Sequence, residues 1–269
     1  MTASELFRAG QLQAAIDAQT QKVKAHPADQ AARLFLFELL LFSGDLDRAR
    51  KQLDVLKYDK PEATAAVDSY RHALTAEQTR RDVLAGKGRP KFLGPVPSHV
   101  EARLQALQNY ASGDRAGGDT TLMNANAEAP EVQAILNSQT VAGLRDADDL
   151  FGSVLEVFGG ENYVWVPLEN VESVSVNPLT NPRDVILRPA HLVLRDGPSG
   201  DVLLPALYPE SRSHPDEAVR VGRVTDWVGG ETEPIRGVGG KLFTAGDNWV
   251  RFADWQTLQV ADSSNGASS

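Results

Sequence analysis

A repeat of 34 residues in the first half of the chain constrains the fold more than any other feature. Small and apolar residues recur at that interval, so that Leu6, Gly10, Leu12, Ala15 and Pro27 are followed by Leu40, Gly44, Leu46, Ala49 and Pro61. A fainter third copy contains Gly113 and Pro130, separated by the same interval as Gly10 and Pro27. This period is the length of a tetratricopeptide repeat, a pair of helices that stacks on its neighbours. The spacing predicts a helical repeat array in the N-terminal half.

One predicted helix lies in the middle of that array. Residues 34–42 are apolar except for Glu38, and a helix that is apolar on nearly every side has to be covered by other helices. The run is too short to span a bilayer, which needs about 20 apolar residues. Residues 1–15 lack the long apolar core of a signal peptide. We therefore expect a cytoplasmic protein without a membrane segment.

Composition limits the kinds of partner. The chain contains no cysteine, which excludes disulfides, thiolate catalysis and zinc–thiolate sites. Basic and acidic residues balance in residues 1–136, so the whole net charge of −9 lies in residues 137–269. An acidic half argues against nucleic acid, because a phosphate backbone requires a basic face. The acidity itself is typical of a soluble surface.

The pattern changes after Leu150, where short β-rich runs replace the helical periodicity. Residues 153–158 and 163–167 predict a hairpin, and the strict alternation in 171–176 predicts a half-buried strand. Further strands are predicted at 185–187, 191–194, 202–207, 218–224, 241–244, 249–252 and 258–260. So many short strands with little helix predict an antiparallel barrel or sandwich.

The chain as a whole is thus predicted to be an α+β protein with two domains. Residues 1–140 form an all-α, tetratricopeptide-like domain, and residues 150–262 form the β-barrel-like or sandwich-like domain. Residues 263–269 are small and polar, which predicts a disordered tail.

A basic run offers the first candidates for partner binding. It closes the helical stretch 59–85 and includes Arg80 and Arg81, with Arg89 a short distance beyond. Such cations can simply complement the dipole at a helix C-terminus. Alternatively, they form a docking patch for an acidic partner.

Aromatic and apolar residues supply the other candidates. The proline- and glycine-rich segment 88–97 interrupts the helices, and its two large apolar residues are either pinned into the core or exposed for a partner. All four tryptophans fall in the β-rich half, and tryptophan is common both in cores and at interface hot spots. An aspartate that precedes one of them can cap a turn through nearby backbone amides. The candidates from these segments are Phe92, Leu93, Tyr163, Trp165, Asp226 and Trp227.

No catalytic or cofactor-binding pattern is recognisable. The sequence lacks a G-x-S-x-G elbow, a Walker loop, a dinucleotide fingerprint and an H-E-x-x-H pair. The five histidines lie far apart, and none has a second metal-type ligand at helical or hairpin spacing. The glycine pairs at 159–160 and 229–230 are more typical of hairpin turns than of phosphate loops. We therefore predict a non-enzymatic protein with no catalytic residue, metal or cofactor.

Five segments, spread through most of the chain, resemble a known family when they are taken in order. They are ELFRAG at 5–10, ARLFLFELL at 32–40, RPKFLG at 89–94, YVWVP at 163–167 and GRVTDW at 222–227. The set is similar to the ImpE/TagJ (SciE-type) accessory proteins of bacterial type VI secretion. The resemblance implies a cytoplasmic, non-enzymatic protein that binds a short N-terminal helix of the small contractile-sheath subunit and is associated with the sheath-recycling ATPase.

Helical repeats are compatible with that role, because their grooves accept an amphipathic helix through anchors at i, i+3, i+4 and i+7. Two other functions stay open at this point. The chain can be a general tetratricopeptide-type scaffold in another cytoplasmic assembly, with the β-rich half as its working part. It can also be an uncharacterised hydrolase, which a histidine and a carboxylate converging in a pocket would support.

Overall fold

The structure is a computed structural model that describes residues 1–230 and 233–262. Helices form its first half: α1 (Ala3–Arg8), α2 (Leu12–Ala25), α3 (Gln30–Ser43), α4 (Leu46–Asp54), α5 (Pro61–Leu84), α6 (Ser98–Ala111) and α7 (Arg115–Glu128). Each of the helices α1 to α4 packs on the next, and α6 packs on α7. The predicted tetratricopeptide-like helical half is confirmed.

Local sequence explains where these helices begin and end. Asp29, Asp45 and Asp114 each cap a helix by accepting a hydrogen bond from the backbone N–H three residues later. Gly44 follows α3 with a left-handed φ of 71°, which glycine adopts without steric cost. Gly118 lies inside α7 because a Cβ there would come within 2.4 Å of the Tyr110 ring.

Strands form most of the second half. They are β1 (Ala134–Leu136), β2 (Gln139–Val141), β3 (Arg145–Asp146), β4 (Val154–Gly159), β5 (Asn162–Pro167), β6 (Val171–Val176), β7 (Leu187–Leu194), β8 (Ser199–Pro205), β9 (Thr225–Gly230), β10 (Glu233–Gly239), β11 (Leu242–Ala245), β12 (Asn248–Arg251) and β13 (Thr257–Val260). Eight of them make an antiparallel sheet in the order β2-β1-β13-β6-β7-β8-β4-β5. A β9–β10 ribbon and a β12-β11-β3 sheet complete the described strands.

The large sheet is open, with β2 and β5 at its edges. The predicted antiparallel half is confirmed, whereas the barrel is not formed. Strand β4 shows why closure is unnecessary: Val154 and Phe158 belong to the core shared with the helices, while Leu155 and Val157 belong to a second core within the β half. A sheet that is covered by helices on one face does not have to curl on itself to bury that face.

One other part of the strand prediction is wrong, and one predicted hairpin turn also belongs to a strand. Residues 218–224 begin not as a strand but as the end of a short helix, α8 (Glu217–Arg220), because the Asp216 carboxylate caps it by accepting the Ala218 N–H. Residues 229–230 are not only a turn, since they end β9. Gly229 has a φ of 101°, and a Cβ there would strike the Pro234 carbonyl of β10.

The two halves share one core. The surface that α3 and α5 present to the β half, which we call the helical face, includes Leu41, Phe42, Ala73 and Leu74. Residues 182–187 and 205–212 cover it, and the space left between them has a volume of about 50 Å³. Arg183 ties this contact together by donating to the Glu38 carboxylate and to the Tyr70 hydroxyl. The division into domains at 1–140 and 150–262 stays a prediction.

A second contact between the halves caps a helix. The Glu217 carboxylate accepts hydrogen bonds from the backbone N–H groups of Leu12 (3.0 Å) and Gln13 (3.1 Å) at the start of α2. The residue before α2 supplies no side-chain cap of its own, so the β half satisfies donors that would otherwise lack a partner.

Within residues 1–230 and 233–262, the helices are too short or too polar to cross a lipid bilayer. The disordered tail predicted at 263–269 lies outside the described residues.

Candidate functional site

The side chains of the edge strand β5 are mostly buried, but within the described part of the chain the backbone along its outer edge is paired at one position only. The segment 88–97 crosses it, and Lys91 forms a parallel bridge with Val164. The Lys91 N–H donates to the Tyr163 carbonyl (2.8 Å), and the Lys91 carbonyl accepts the Trp165 N–H (3.0 Å). Prolines at 90, 95 and 97 lack the donor that a longer strand needs. The pairing is therefore confined to one residue.

Beyond this bridge lies a groove with a volume of about 330 Å³, which we call the edge groove. The segment 92–97, the end of β5 and the turn after β7 line it: Phe92, Leu93, Gly94, Pro95, Val96, Pro97, Trp165, Val166, Pro167, Asn170, Leu194, Arg195, Asp196 and Gly197. Ligand pockets typically measure about 300–1,000 Å³. The edge groove can therefore accept a few side chains of a peptide rather than a whole helix.

The edge groove is apolar with charges at one end. Leu93 keeps 46% of its surface exposed, whereas Trp165 is fully buried behind it. Arg195 and Asp196 supply the charges. A concave, mostly apolar surface with a few polar groups is typical of ligand-binding sites, and Leu93 lies at the edge of this one.

Three of the nine candidate residues, Phe92, Leu93 and Trp165, meet in this groove. Tyr163 lies in the same strand and, like the fully buried Trp165, belongs to the core shared with the helices. It is 1% exposed, its hydroxyl accepts the Trp165 Nε1–H (2.5 Å), and it donates to the Glu156 carboxylate. Tyr163 thus supports the groove from behind and offers a partner no surface.

The basic run does not form a continuous surface patch. Arg80 is 4% exposed, and its Nε and Nη2 each lie 2.7 Å from the Glu156 carboxylate. Arg81 is half-buried in an ion pair within its own helix. Arg89 is exposed and forms a bidentate pair with Glu101, at 2.7 and 2.6 Å. Arg80 therefore stabilises the fold, and Arg89 is the candidate whose charge lies at the surface.

Asp226 and Trp227 belong to another region, the β9–β10 ribbon. Asp226 caps locally, since its carboxylate accepts the backbone N–H of Trp227 (2.8 Å). The Trp227 ring is half-buried, between the ring of Tyr208 (6.0 Å between centroids) and that of Trp249 (5.4 Å). The structure does not bring these residues into the edge groove.

Behind Tyr163 lies a cluster of buried charges formed by Arg80, Glu156, Lys241 and Asp146. Lys241 Nζ lies 2.9 Å from Glu156 and 3.0 Å from Asp146. Burial by itself raises the pKa of Glu156, but Arg80 and Lys241 outweigh it and lower that pKa to about 2. Two cations and two carboxylates balance, which a buried ion cluster requires. The cluster joins α5 to the sheet.

A histidine and a carboxylate do converge, although no sequence pattern indicates it. His99 Nδ1 lies 3.0 Å from Ser153 Oγ, and His99 Nε2 lies 2.7 Å from Glu169 Oε1. Sequence reasoning missed these three hydrogen-bonded residues, because they come from α6, from the position just before β4 and from the 3₁₀ helix after β5. Only the packing of α6 on the sheet brings them together.

Helical repeats joined to an open antiparallel sheet, with an apolar groove at the sheet edge, define the class of fold as α+β with a tetratricopeptide-like half. The tetratricopeptide repeat family matches residues 6–77, and the ImpE protein family matches residues 138–259.

The chain is 37% identical over 228 residues to the type VI secretion system accessory component TagJ of Pseudomonas aeruginosa, covering 85% of this chain and 81% of that protein. A crystal structure of a protein from Vibrio parahaemolyticus, 26% identical, superposes with a TM-score of 0.87 over 96% of this chain and 97% of the other. The chain belongs to the ImpE/TagJ family of type VI secretion accessory proteins.

Proposed function

We propose that this protein is a non-enzymatic adaptor that binds the N-terminal helix of the small contractile-sheath subunit in the edge groove. The edge groove carries the proposal, because it is an open apolar concavity with an exposed leucine at its mouth. Family membership supports a role in type VI secretion. The same adaptor links the sheath to the recycling ATPase.

The edge groove replaces the helical face as the proposed binding surface. A helical array ordinarily offers its own groove to a partner helix, but here residues 182–187 and 205–212 already cover the helical face. In the edge groove, Phe92 and Leu93 would receive one or two apolar anchors of the sheath helix. Arg195 and Asp196 would set its direction, since charges at a rim control orientation more than affinity.

A peptide-binding measurement tests the proposal on the full-length protein. A fluorescently labelled peptide with the N-terminal helix of the small sheath subunit is titrated with wild type, Leu93→Asp and Met123→Asp, and its anisotropy is followed. Met123 is a matched control, because it is 53% exposed on α7 and does not line the groove. We expect the carboxylate in the groove to weaken binding by about tenfold or more. The Met123 variant should bind like wild type.

Two outcomes contradict parts of the proposal. Equal affinities of the two variants would exclude the edge groove as the site. Absence of binding by wild type at tens of micromolar would exclude the sheath helix. Recovery of a different assembly by the full-length protein would then favour a general scaffold.

The ATPase link is tested separately. Purified sheath-recycling ATPase is passed over the immobilised full-length protein, with and without sheath-subunit peptide. Retention above a bare matrix supports the link, and the peptide arm shows whether the two partners bind together or compete.

The Ser153–His99–Glu169 chain favours a second candidate, a hydrolase. Against it, Ser153 and His99 are 4% and 3% exposed. The Ser153 hydroxyl is also held by Arg103 Nη2 at 3.3 Å. A panel of chromogenic esters separates the two functions: ester hydrolysis that disappears in Ser153→Ala would establish the enzyme, and rates equal to the buffer blank would exclude it for these substrates.

A further inference from the structure

A second pocket, with a volume of about 170 Å³, lies where the helices meet the first strands of the β half. We call it the arginine pocket. Helices α6 and α7, the linker after α7 and the residues before β3 and β4 line it: Arg103, Asn126, Ala129, Pro130, Glu131, Val132, Gly143, Leu144, Arg145 and Ser153. It shares no lining residue with the edge groove.

Arg103 in its wall is completely buried. Its Nη atoms donate to neutral acceptors: the carbonyls of Asp149 (2.7 Å) and Leu150 (3.3 Å), the Asn126 Oδ1 (2.8 Å) and the Ser153 Oγ (3.3 Å). Among residues 1–230 and 233–262, no carboxylate lies within 4 Å of it, and its Nε has no hydrogen-bond partner. A buried cation without a directly paired carboxylate is unfavourable, and the more distant charges of Asp149, Asp148 and Glu169 only partly offset the burial of Arg103.

A second guanidinium, that of Arg145, adds positive charge beside Arg103. Arg145 is half-exposed in the same wall and pairs with Asp149 at 2.6 Å. Burial and the nearby Arg145 charge lower the pKa of Arg103 to about 10, so Arg103 remains charged at neutral pH. Glu131 is an exposed residue of the lining and receives a hydrogen bond from Gln133.

The backbone before β4 passes very close to the Arg103 guanidinium. Gly152 has a φ of 41°, and a Cβ there would come within 2.8 Å of Arg103 Nη2 and 2.7 Å of Asn126 Oδ1. Only glycine allows the chain to pass the guanidinium this closely.

We propose that the arginine pocket binds a small anion with a carboxylate or phosphate group, held by Arg103 and Arg145 with the Ser153 hydroxyl beside them. Guanidinium groups form charge-assisted hydrogen bonds with both kinds of anion, and the buried Arg103 Nε–H is the donor without a partner here. The volume admits a compact metabolite-sized anion rather than a folded partner.

Another buried arginine provides a comparison inside the same chain. Arg188 also has an unpartnered Nε and Nη atoms that donate to the carbonyls of four residues, but its crevice has a volume of only about 50 Å³. We therefore expect no anion to bind at Arg188.

The test is a titration of the full-length protein with inorganic phosphate, succinate and acetate at constant ionic strength, against sodium chloride. Calorimetry reports affinity, and the Nε–Hε resonances of arginine in NMR spectra report the site. We expect phosphate or a carboxylate to bind with a Kd of about 1 mM or tighter, and to shift the Arg103 resonance but not that of Arg188. Phosphate and the two carboxylates form separate arms, so the result also shows which kind of anion is preferred.

Variants make the assignment specific. Arg145→Gln should weaken binding by about tenfold, because it removes one charge-assisted contact. Arg115→Gln is the matched control, since Arg115 is an exposed arginine on α7 that pairs with Glu233 outside the pocket. Equal effects of the two variants would show an adventitious surface interaction and overturn the proposal. So would the absence of any shift at Arg103 with every anion at about 10 mM.

Discussion

The helical face and the edge groove are both apolar surfaces, but only the edge groove is open. The sequence is compatible with a groove in the helical repeats but does not decide which half binds a partner. The chain covers that face itself with residues 182–187 and 205–212. The edge groove stays open because the prolines of segment 88–97 allow only one residue to pair with β5. What a repeat array can bind thus depends on what else the chain packs against it.

The largest expected effect comes from a substitution in the buried charge cluster, on the side of the molecule where the helical face is covered. Arg80→Met removes one cation from the buried cluster and leaves Glu156 with Lys241 alone. We expect the free energy of unfolding to fall by about 3–5 kcal/mol, the usual cost of breaking a buried ion pair. Urea denaturation followed by circular dichroism measures it. A loss below about 1 kcal/mol would show that Lys241 is a sufficient partner.

Low pH should weaken the same buried charge cluster and so destabilise the fold. The pKa of Glu156 is lowered to about 2 in the folded protein from an ordinary value of 4.5. The unfolded chain therefore takes up this proton first as the pH falls, and stability is lost between pH 4.5 and about pH 2. The contribution is roughly 3 kcal/mol. Unfolding curves over this range should show a smaller pH dependence for Glu156→Gln than for wild type. Identical slopes would assign the acid sensitivity to other carboxylates.

A smaller effect tests the comparison directly, because one substitution should change stability without changing peptide binding. Leu207→Ala deletes an apolar side chain that covers the helical face and is 8% exposed. We expect unfolding to become easier by about 2–3 kcal/mol, in the lower part of the range for buried leucine. Affinity for the sheath peptide should not change, since Leu207 does not line the edge groove. Weakened binding at a temperature where the variant is folded would place the site on the helical face.

The smallest effect is expected beside the edge groove. Arg89→Met removes the exposed pair with Glu101, and such pairs contribute less than about 1 kcal/mol. Thermal unfolding at low and high salt checks this, because a surface pair is also screened by salt. A larger loss would mean that Arg89, whose guanidinium lies 5.9 Å from the centre of the Phe92 ring, fixes the shape of the segment.

The site shows which sequence signals are reliable. Proline spacing correctly marks 88–97 as an interruption, and Leu93 is exposed there as one of the two readings requires. The burial of Arg80 and Tyr163 could not be predicted from the sequence. The local sequence around a charged or aromatic residue does not show whether its side chain faces solvent or a buried partner of opposite charge. The Ser153–His99–Glu169 chain and the arginine pocket have no sequence signature, because each joins residues from separate elements.

By itself, the sequence determined the helical half, the antiparallel strands and the family. Those features are periodic or local: a spacing of 34 residues, aspartate caps such as Asp45, and the alternation in β6. Tertiary structure alone decided that the sheet stays open, that the helical face is covered and that Arg103 is buried without a counterion. These outcomes depend on which surfaces of distant segments exclude water from one another, and burial is a property of the whole packed chain rather than of any stretch of it.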